Sequence, residues 1–320
     1  MMTEYKSTIL ITGGSSGLGK ATAEQLAISQ PSHLIVITGR SPRGVADEIN
    51  AITGRSNVVF LPLDLSSKAG ARDFAKRFLN ANYPLIETFY WNAALQFVDG
   101  LHMTEDGIEE SFAVNHLNQS LVFFLLKERF TDDARIVIVG SSVHDPALKR
   151  IPLDTVWTNS EEVARPAEKK ENSPWGEGLR RYGLSKAANM LFTYALADKA
   201  SEQGKNWTVT GLDPGVMPTN LLRHLGPWLA PPFNYAMGTF LGRRFVPDIL
   251  PAAKVAKQLV RMGYDRSWHG EGTHGVYFGT AGQVVTSSEA SQNVGFQKEL
   301  WDWTVKELAH ADEKEKFEKL

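Results

Sequence analysis

Tyr182 and Lys186 stand four residues apart in the run Tyr182-Gly183-Leu184-Ser185-Lys186. On a helix that spacing puts both side chains on one face, a turn apart. A phenol ordinarily titrates at about 10, too high for ready proton exchange at neutral pH. A nearby ammonium favours the phenolate and lowers that value. The pair would then be an acid–base group able to trade a proton with a hydroxyl or carbonyl oxygen. Y-x-x-x-K alone also fits an exposed helical turn, so its meaning depends on what precedes it.

The chain opens with a short β-branched run, Ser7 to Ile11, which reads as a buried strand. Thr12-Gly13-Gly14-Ser15-Ser16-Gly17-Leu18-Gly19 follows, and then Lys20 to Ser29 with apolar Ala23, Leu26 and Ala27 at helical spacing. Strand, glycine-rich turn and helix in that order suit a pyrophosphate. Glycines let the backbone come close, and the helix start offers unpaired N–H groups. A flexible loop is the competing reading. The pattern is T-G-x-x-x-G-x-G, which differs from G-x-G-x-x-G. Together with Tyr182 and Lys186 it resembles the short-chain dehydrogenase/reductase family, with the motifs in family order from Ser7 to about Thr219. The resemblance implies that Gly13, Ser15, Ser16, Gly17, Leu18 and Gly19 cradle a nicotinamide cofactor. Alternating strand and helix patterns over the first two thirds argue for an α/β fold. We expect one Rossmann-like domain over residues 1–320, a doubly wound parallel sheet with helices on both faces.

His33 to Thr38 reads as a second strand. NAD-preferring enzymes usually place a carboxylate at its end. Here the strand runs into Gly39-Arg40, with Arg43 beyond and no carboxylate before Asp47. A guanidinium fork suits a 2′-phosphate, and the resemblance says the same of Arg40. The expectation is NADP(H), against a solvated Arg40 and an enzyme that also accepts NAD. Val58 to Leu61 reads as a third strand, followed by Asp64-Leu65. The resemblance places Asp64, with Leu65 beside it, at the adenine; Asp64 could instead cap the helix starting near Ser66 or Ser67. Leu85 to Trp91 reads as a fourth strand closed by Asn92-Ala93-Ala94. The family has N-N-A-G there, so Asn92 and Ala93 are kept while Trp91 and Ala94 depart.

Ala134 to Gly140 reads as a fifth strand ending in Ser141-Ser142. A hydroxyl at that end of a parallel sheet can donate to a carbonyl oxygen as charge develops. By resemblance Ser142 has this role, with Ser141 as the alternative. Asn115 lies in a helical stretch expected to reach Phe130. The resemblance has it bend that helix and hold a water linking the lysine to solvent; a satisfied core amide is the other possibility. His116 and His144 lie near in sequence without an evident role. Trp207 to Leu212 reads as a sixth strand, and Asp213-Pro214-Gly215-Val216-Met217-Pro218-Thr219 follows. Related enzymes bracket the nicotinamide with this turn, so Pro214, Gly215, Val216 and Thr219 join the cofactor set. Catalysis would rest on Asn115, Ser142, Tyr182 and Lys186, with Lys186 also binding the nicotinamide ribose.

The chain has 320 residues, a formal net charge of −2 and no cysteine. That excludes disulfides and thiolate metal sites, and gives no electrostatic case for nucleic acid. No metal is expected. The start of the chain is too short to span a membrane, and a cytoplasmic protein is the default. Val276 to Phe278 reads as a last strand, and the charged tail Glu313 to Leu320 as fraying or extending the last helix. Residues 143–175, longer than the family minimum, read as irregular surface; in some relatives such an insertion covers a dimer face, so monomer and homodimer are both open. Residues 221–251, rich in Trp, Phe and Met, sit where relatives carry a substrate lid, which points to an apolar, bulky or aromatic substrate. Core packing or shallow membrane contact are the alternatives for that segment. The expected activity is NADPH-dependent reduction of a ketone or aldehyde. Its competitors are NADP-linked alcohol oxidation and a non-catalytic NADP sensor or scaffold, the last disfavoured because tyrosine and lysine are both present.

Overall fold

The computed structural model describes residues 5–168, 171–217, 250–269 and 272–320. The β-branched runs form β1 (Thr8–Ile11), β2 (Leu34–Gly39), β3 (Val58–Pro62), β4 (Ile86–Trp91), β5 (Phe130–Val139), β6 (Thr208–Leu212) and β7 (Val276–Phe278). They make one parallel sheet in the order β3-β2-β1-β4-β5-β6-β7. The chain winds outward from β1 to β3 and then crosses back to β4. Strand order therefore reverses between β1 and β4, and the carboxyl ends there open a crevice.

Alternation along the strands divides the core. Leu10 of β1 and Phe89 and Trp91 of β4 face one layer; Ile9 and Ile11 of β1 and Tyr90 of β4 face the other. The second layer is filled by α1 (Gly17–Ser29), α2 (Val45–Thr53) and the helix Ala252–Tyr264. The first holds α3 (Lys68–Asn80), the helix Asn118–Leu126, the Tyr182 helix Pro174–Glu202 and the helix Val294–Leu308. The doubly wound arrangement is the one the alternation implied. The Tyr182 helix starts where its chemistry allows: Ser173 accepts from the Gly176 N–H, and Pro174 fills a position that needs no donor.

Several boundaries differ. The helix through Asn115 does not run on to Phe130: it is a π-turn over Ala113–Leu117, then Asn118–Leu126 and a 3-10 turn, and Phe130 already opens β5. Residues 143–175 are more than irregular surface. They hold the short helix Ser160–Ala164, whose Ser160 and Val163 are buried, and Ser160 donates its N–H and hydroxyl to Glu299. The tail does not fray. It folds back as Lys314–Glu318, with Phe317 fully buried and stacked on Phe124 at 4.9 Å. Arg72 donates to both Glu313 oxygens at 2.7 Å, and Lys127 donates to the carbonyls of Lys316 and Lys319. Trp301 stacks on Phe192 at 5.2 Å, so the C-terminal helices cover the outer face of the Tyr182 helix. Of the expected lid, residues 221–249 lie outside the described residues.

Candidate functional site

A groove of about 470 Å³ opens at the carboxyl ends of the strands, above the reversal point. That is within the roughly 300–1,000 Å³ usual for small-molecule sites. Its floor is the β1–α1 turn, where Gly13, Ser15, Ser16, Gly17 and Leu18 line it. Gly19 packs beneath rather than lining: a Cβ there would lie 2.5 Å from the Gly13 carbonyl oxygen and 2.6 Å from Asn92 Nδ2. Gly13 has φ +65°, and a Cβ there would come within 2.8 Å of Ala93 Cα. The turn is held from below. The Asn92 amide donates to the Thr12 carbonyl at 2.8 Å, the Thr12 hydroxyl donates to Gln119, and Gln119 donates in turn to the Ala93 carbonyl.

The residues present fit a dinucleotide. The first turn of α1 has no acidic residue, and its N-cap Ser16 makes no side-chain capping bond. Its N–H groups are thus left for an anion, whereas α3 is capped by Ser67, which accepts from the Gly70 N–H. Arg40 and Arg43 line the outer end of the groove. Asp64 and Leu65 line the side next to them, and Asp64 is not the cap of α3: its carboxylate accepts the Ser66 N–H at 2.9 Å and hydroxyl at 2.7 Å. Asn92, Ala93 and Pro214 also line the groove, together with Met217 and Ser41, which carry no sequence signal. Gly215, with φ +65°, donates to Asp213, and the exposed Val216 accepts from the Leu250 N–H; neither lines the groove. Thr219 lies outside the described residues.

Tyr182 and Lys186 close the inner end. They share a helix face, with the ammonium 5.8 Å from the phenol ring centre. Their electrostatics differ from the expectation. Burial pushes the Tyr182 phenol up, the Asp213 carboxylate adds to the rise, and a hydrogen bond with Ser141 opposes it. Burial also pushes Lys186 down, to about 7. The same burial disfavours the ammonium that would draw the phenol down, so desolvation wins. Lys186 is tied at 2.9 Å to the Val139 carbonyl, which Asn189 also approaches.

Of the two serines it is Ser141, the alternative, whose side chain bears on the Tyr182 phenol. Ser142 starts a 3-10 turn, and its N–H donates to Asp213 at 3.3 Å. The backbone is extended at Ser141 and turns at Ser142, so the two hydroxyls leave the chain in different directions. Asn115 departs as well. It sits in the π-turn, so its helix does deviate, and its backbone carbonyl already accepts two bonds. Its carbonyl takes the Trp91 indole N–H at 3.0 Å and the Gln119 amide at 2.9 Å. Its side chain exchanges two bonds with the Leu95 backbone and donates to Ser185. Trp91, the departure from the family pattern, occupies this oxygen. His116 is buried among Trp91, Phe112 and Phe192, and burial pushes it down to about 3.

A family model described as short chain dehydrogenase matches residues 7–149. Short-chain dehydrogenase TIC 32 B, chloroplastic, from Brassica napus is 30% identical over 310 residues, covering 93% of this chain and 88% of that protein. Retinol dehydrogenase 12 from Mus musculus is 30% identical over 300 residues, 92% of this chain and 84% of that one. Among solved structures, an NADPH-bound carbonyl reductase from chicken fatty liver superposes with a TM-score of 0.63 at 17% identity, covering 89% of this chain and 100% of the other. No helix among the described residues is long and apolar enough to cross a membrane.

Proposed function

The chain belongs to the short-chain dehydrogenase/reductase family, and on that premise we propose that it reduces an apolar ketone or aldehyde with NADPH. One observation supports this reading: the Tyr182 phenol, held above its ordinary value by burial and the Asp213 carboxylate and so protonated at neutral pH, stands with Lys186 at the inner end of the groove lined by the glycine turn. A protonated phenol is the form that gives a proton to a carbonyl oxygen; oxidation would need the phenolate.

Gly13, Ser15, Ser16, Gly17 and Leu18 would hold the pyrophosphate, Asp64 and Leu65 the adenine end, and Arg40 with Arg43 a 2′-phosphate. Ala93 and Pro214 would flank the nicotinamide end, and Lys186 would bond its ribose. When bound, NADPH supplies the hydride to the carbonyl carbon. Tyr182 gives its proton to the carbonyl oxygen, and Ser141, bonded to the same phenol, orients that oxygen. Lys186, titrating at about 7, holds a proton that can be passed on toward Tyr182 near neutrality. The return path runs from the groove side, because the Asn115 carbonyl is taken by Trp91. One relative is, by its name, a retinol dehydrogenase, which supports a bulky apolar substrate. The test is NADPH oxidation over a panel of retinoid, aromatic and aliphatic carbonyls, with NADH in parallel. Turnover with NADPH on the bulky apolar members is expected; turnover with NADH alone, or none at all, overturns the proposal.

A further inference from the structure

His144 is absent from the mechanism above, yet it is 1% exposed and makes two bonds of fixed direction. Its Nδ1 lies 2.6 Å from the Ser141 carbonyl oxygen, which can only accept. Its Nε2 lies 3.1 Å from the Ser288 N–H, which can only donate. The ring must therefore carry its proton on Nδ1 and none on Nε2. The His144 backbone N–H also donates to the Ser141 carbonyl, at 3.1 Å. Both acceptor positions of that oxygen are thus filled from one residue.

Beyond His144 the bonds continue to the helix of Tyr182. Ser287, beside Ser288, bonds the Tyr194 hydroxyl at 2.7 Å and takes the Ser291 hydroxyl at 2.8 Å. Ser287, Ser288 and Ser291 are buried. Tyr194 lies twelve residues after Tyr182 on the same helix. The ring so closed contains Ser141, His144, the 287–291 segment and the Tyr182 helix.

We propose that His144 is a positioning residue for the proton transfer: as a neutral Nδ1–H imidazole it locks the Ser141 backbone to the C-terminal segment and so aims the Ser141 hydroxyl at Tyr182. This rests on the reductase reading of the same site. The groups facing the imidazole are Asp145 on its own turn, Asp213 after β6, the Tyr277 ring on β7, packed edge-on at 5.5 Å, and the Ser288 N–H. The two carboxylates favour the cation, but burial outweighs them and holds the ring neutral below its ordinary value. A proton on Nε2 would face the Ser288 N–H, donor against donor, in a dry site.

Two measurements test it. The ¹⁵N spectrum of the free protein needs no substrate. It should show His144 as the neutral Nδ1–H form at pH 7; a cation, or the Nε2–H form, overturns the proposal. The second is a double-mutant cycle on the best carbonyl substrate. His144→Leu should lower kcat by about 100-fold, the scale of a lost proton-transfer geometry, with KM for NADPH within about twofold. His144→Asn, whose amide can still donate to the Ser141 carbonyl, should recover about tenfold of that loss. In a Ser141→Ala background, His144→Leu should cost under about threefold, because both changes remove one function. Additive losses, or losses that follow melting temperature with no rescue by Asn, overturn it. Should His144→Leu not fold, the Asn variant carries the same cycle. Absence of wild-type turnover would defeat the reductase reading and leave the spectrum to decide on the lock.

Discussion

Gly183 lies next to Tyr182, and its missing side chain makes room for the serine turn. A Cβ there would stand 2.8 Å from Thr155 Oγ1 and 2.9 Å from the Val143 carbonyl oxygen. Ordinary contact begins at 3.4 Å, so Gly183→Ala must push that carbonyl back by about 0.5 Å. Thr155 donates to the same oxygen at 2.9 Å, so the two atoms would move together. Val143 belongs to the Ser142–His144 turn that follows Ser141, and the displacement is passed to the hydroxyl beside Tyr182. For stability two effects nearly cancel. Alanine in a helix gains about 1 kcal/mol over glycine, and overpacking costs about 1–3 kcal/mol. Turnover has no such compensation, and misplacement approaching 1 Å costs up to ~10²-fold. The variant should therefore melt within a few degrees of the wild type while kcat falls about 10- to 100-fold with KM for NADPH little changed. Calorimetry and steady-state kinetics on one preparation decide it. Wild-type kcat in a folded Gly183→Ala protein would refute the tight packing of the serine turn on the Tyr182 helix.

Phe317→Ala should cost about 3–5 kcal/mol in urea unfolding, the usual loss for a buried aromatic ring, because Phe317 is fully enclosed against Phe124. Lys186 titrates at about 7 in the folded chain, against about 10.4 unfolded. The unfolded state therefore binds more protons between those values, and wild-type stability should rise with pH from about 7 to about 9, by up to ~1.4 kcal/mol per pH unit from this group. Lys186→Met should unfold at higher urea than the wild type at pH 6 and lack that rise; equal slopes in the two proteins would count against the buried lysine. Arg40→Ala should raise KM for NADPH about tenfold and leave KM for NADH unchanged, since an exposed guanidinium gives only a modest share of a charge-assisted contact.

The parts of this molecule that repeat a local rule were legible in its sequence. Strand runs, the glycine turn after β1 and the Tyr182–Lys186 spacing each follow from contacts within a few residues, and they emerge in order around one groove. What was not legible depends on partners far along the chain. Ser141 and Ser142 are the same residue type side by side, and only the direction of the strand end decides which meets Tyr182. The sign of the tyrosine's shift depends on burial and on Asp213, and neither shows in a four-residue spacing. Asn115 looked available for a water because nothing local reveals that Trp91 reaches its carbonyl from β4. Phe317 is a single aromatic in a charged tail, too little pattern to indicate a docked helix. The short helix in residues 143–175 is fixed by Glu299, more than a hundred residues away.

The central claim is that the Tyr182 phenol gives the proton. The most direct measurement is the single-turnover rate of carbonyl reduction by the NADPH-loaded Tyr182→Phe protein beside the wild type. The ring is kept, so the buried packing of Tyr182 survives. Removing an aligned proton donor should slow the step by roughly 10²–10⁴-fold with NADPH affinity intact. A rate within a few-fold of the wild type would mean that the proton comes from elsewhere.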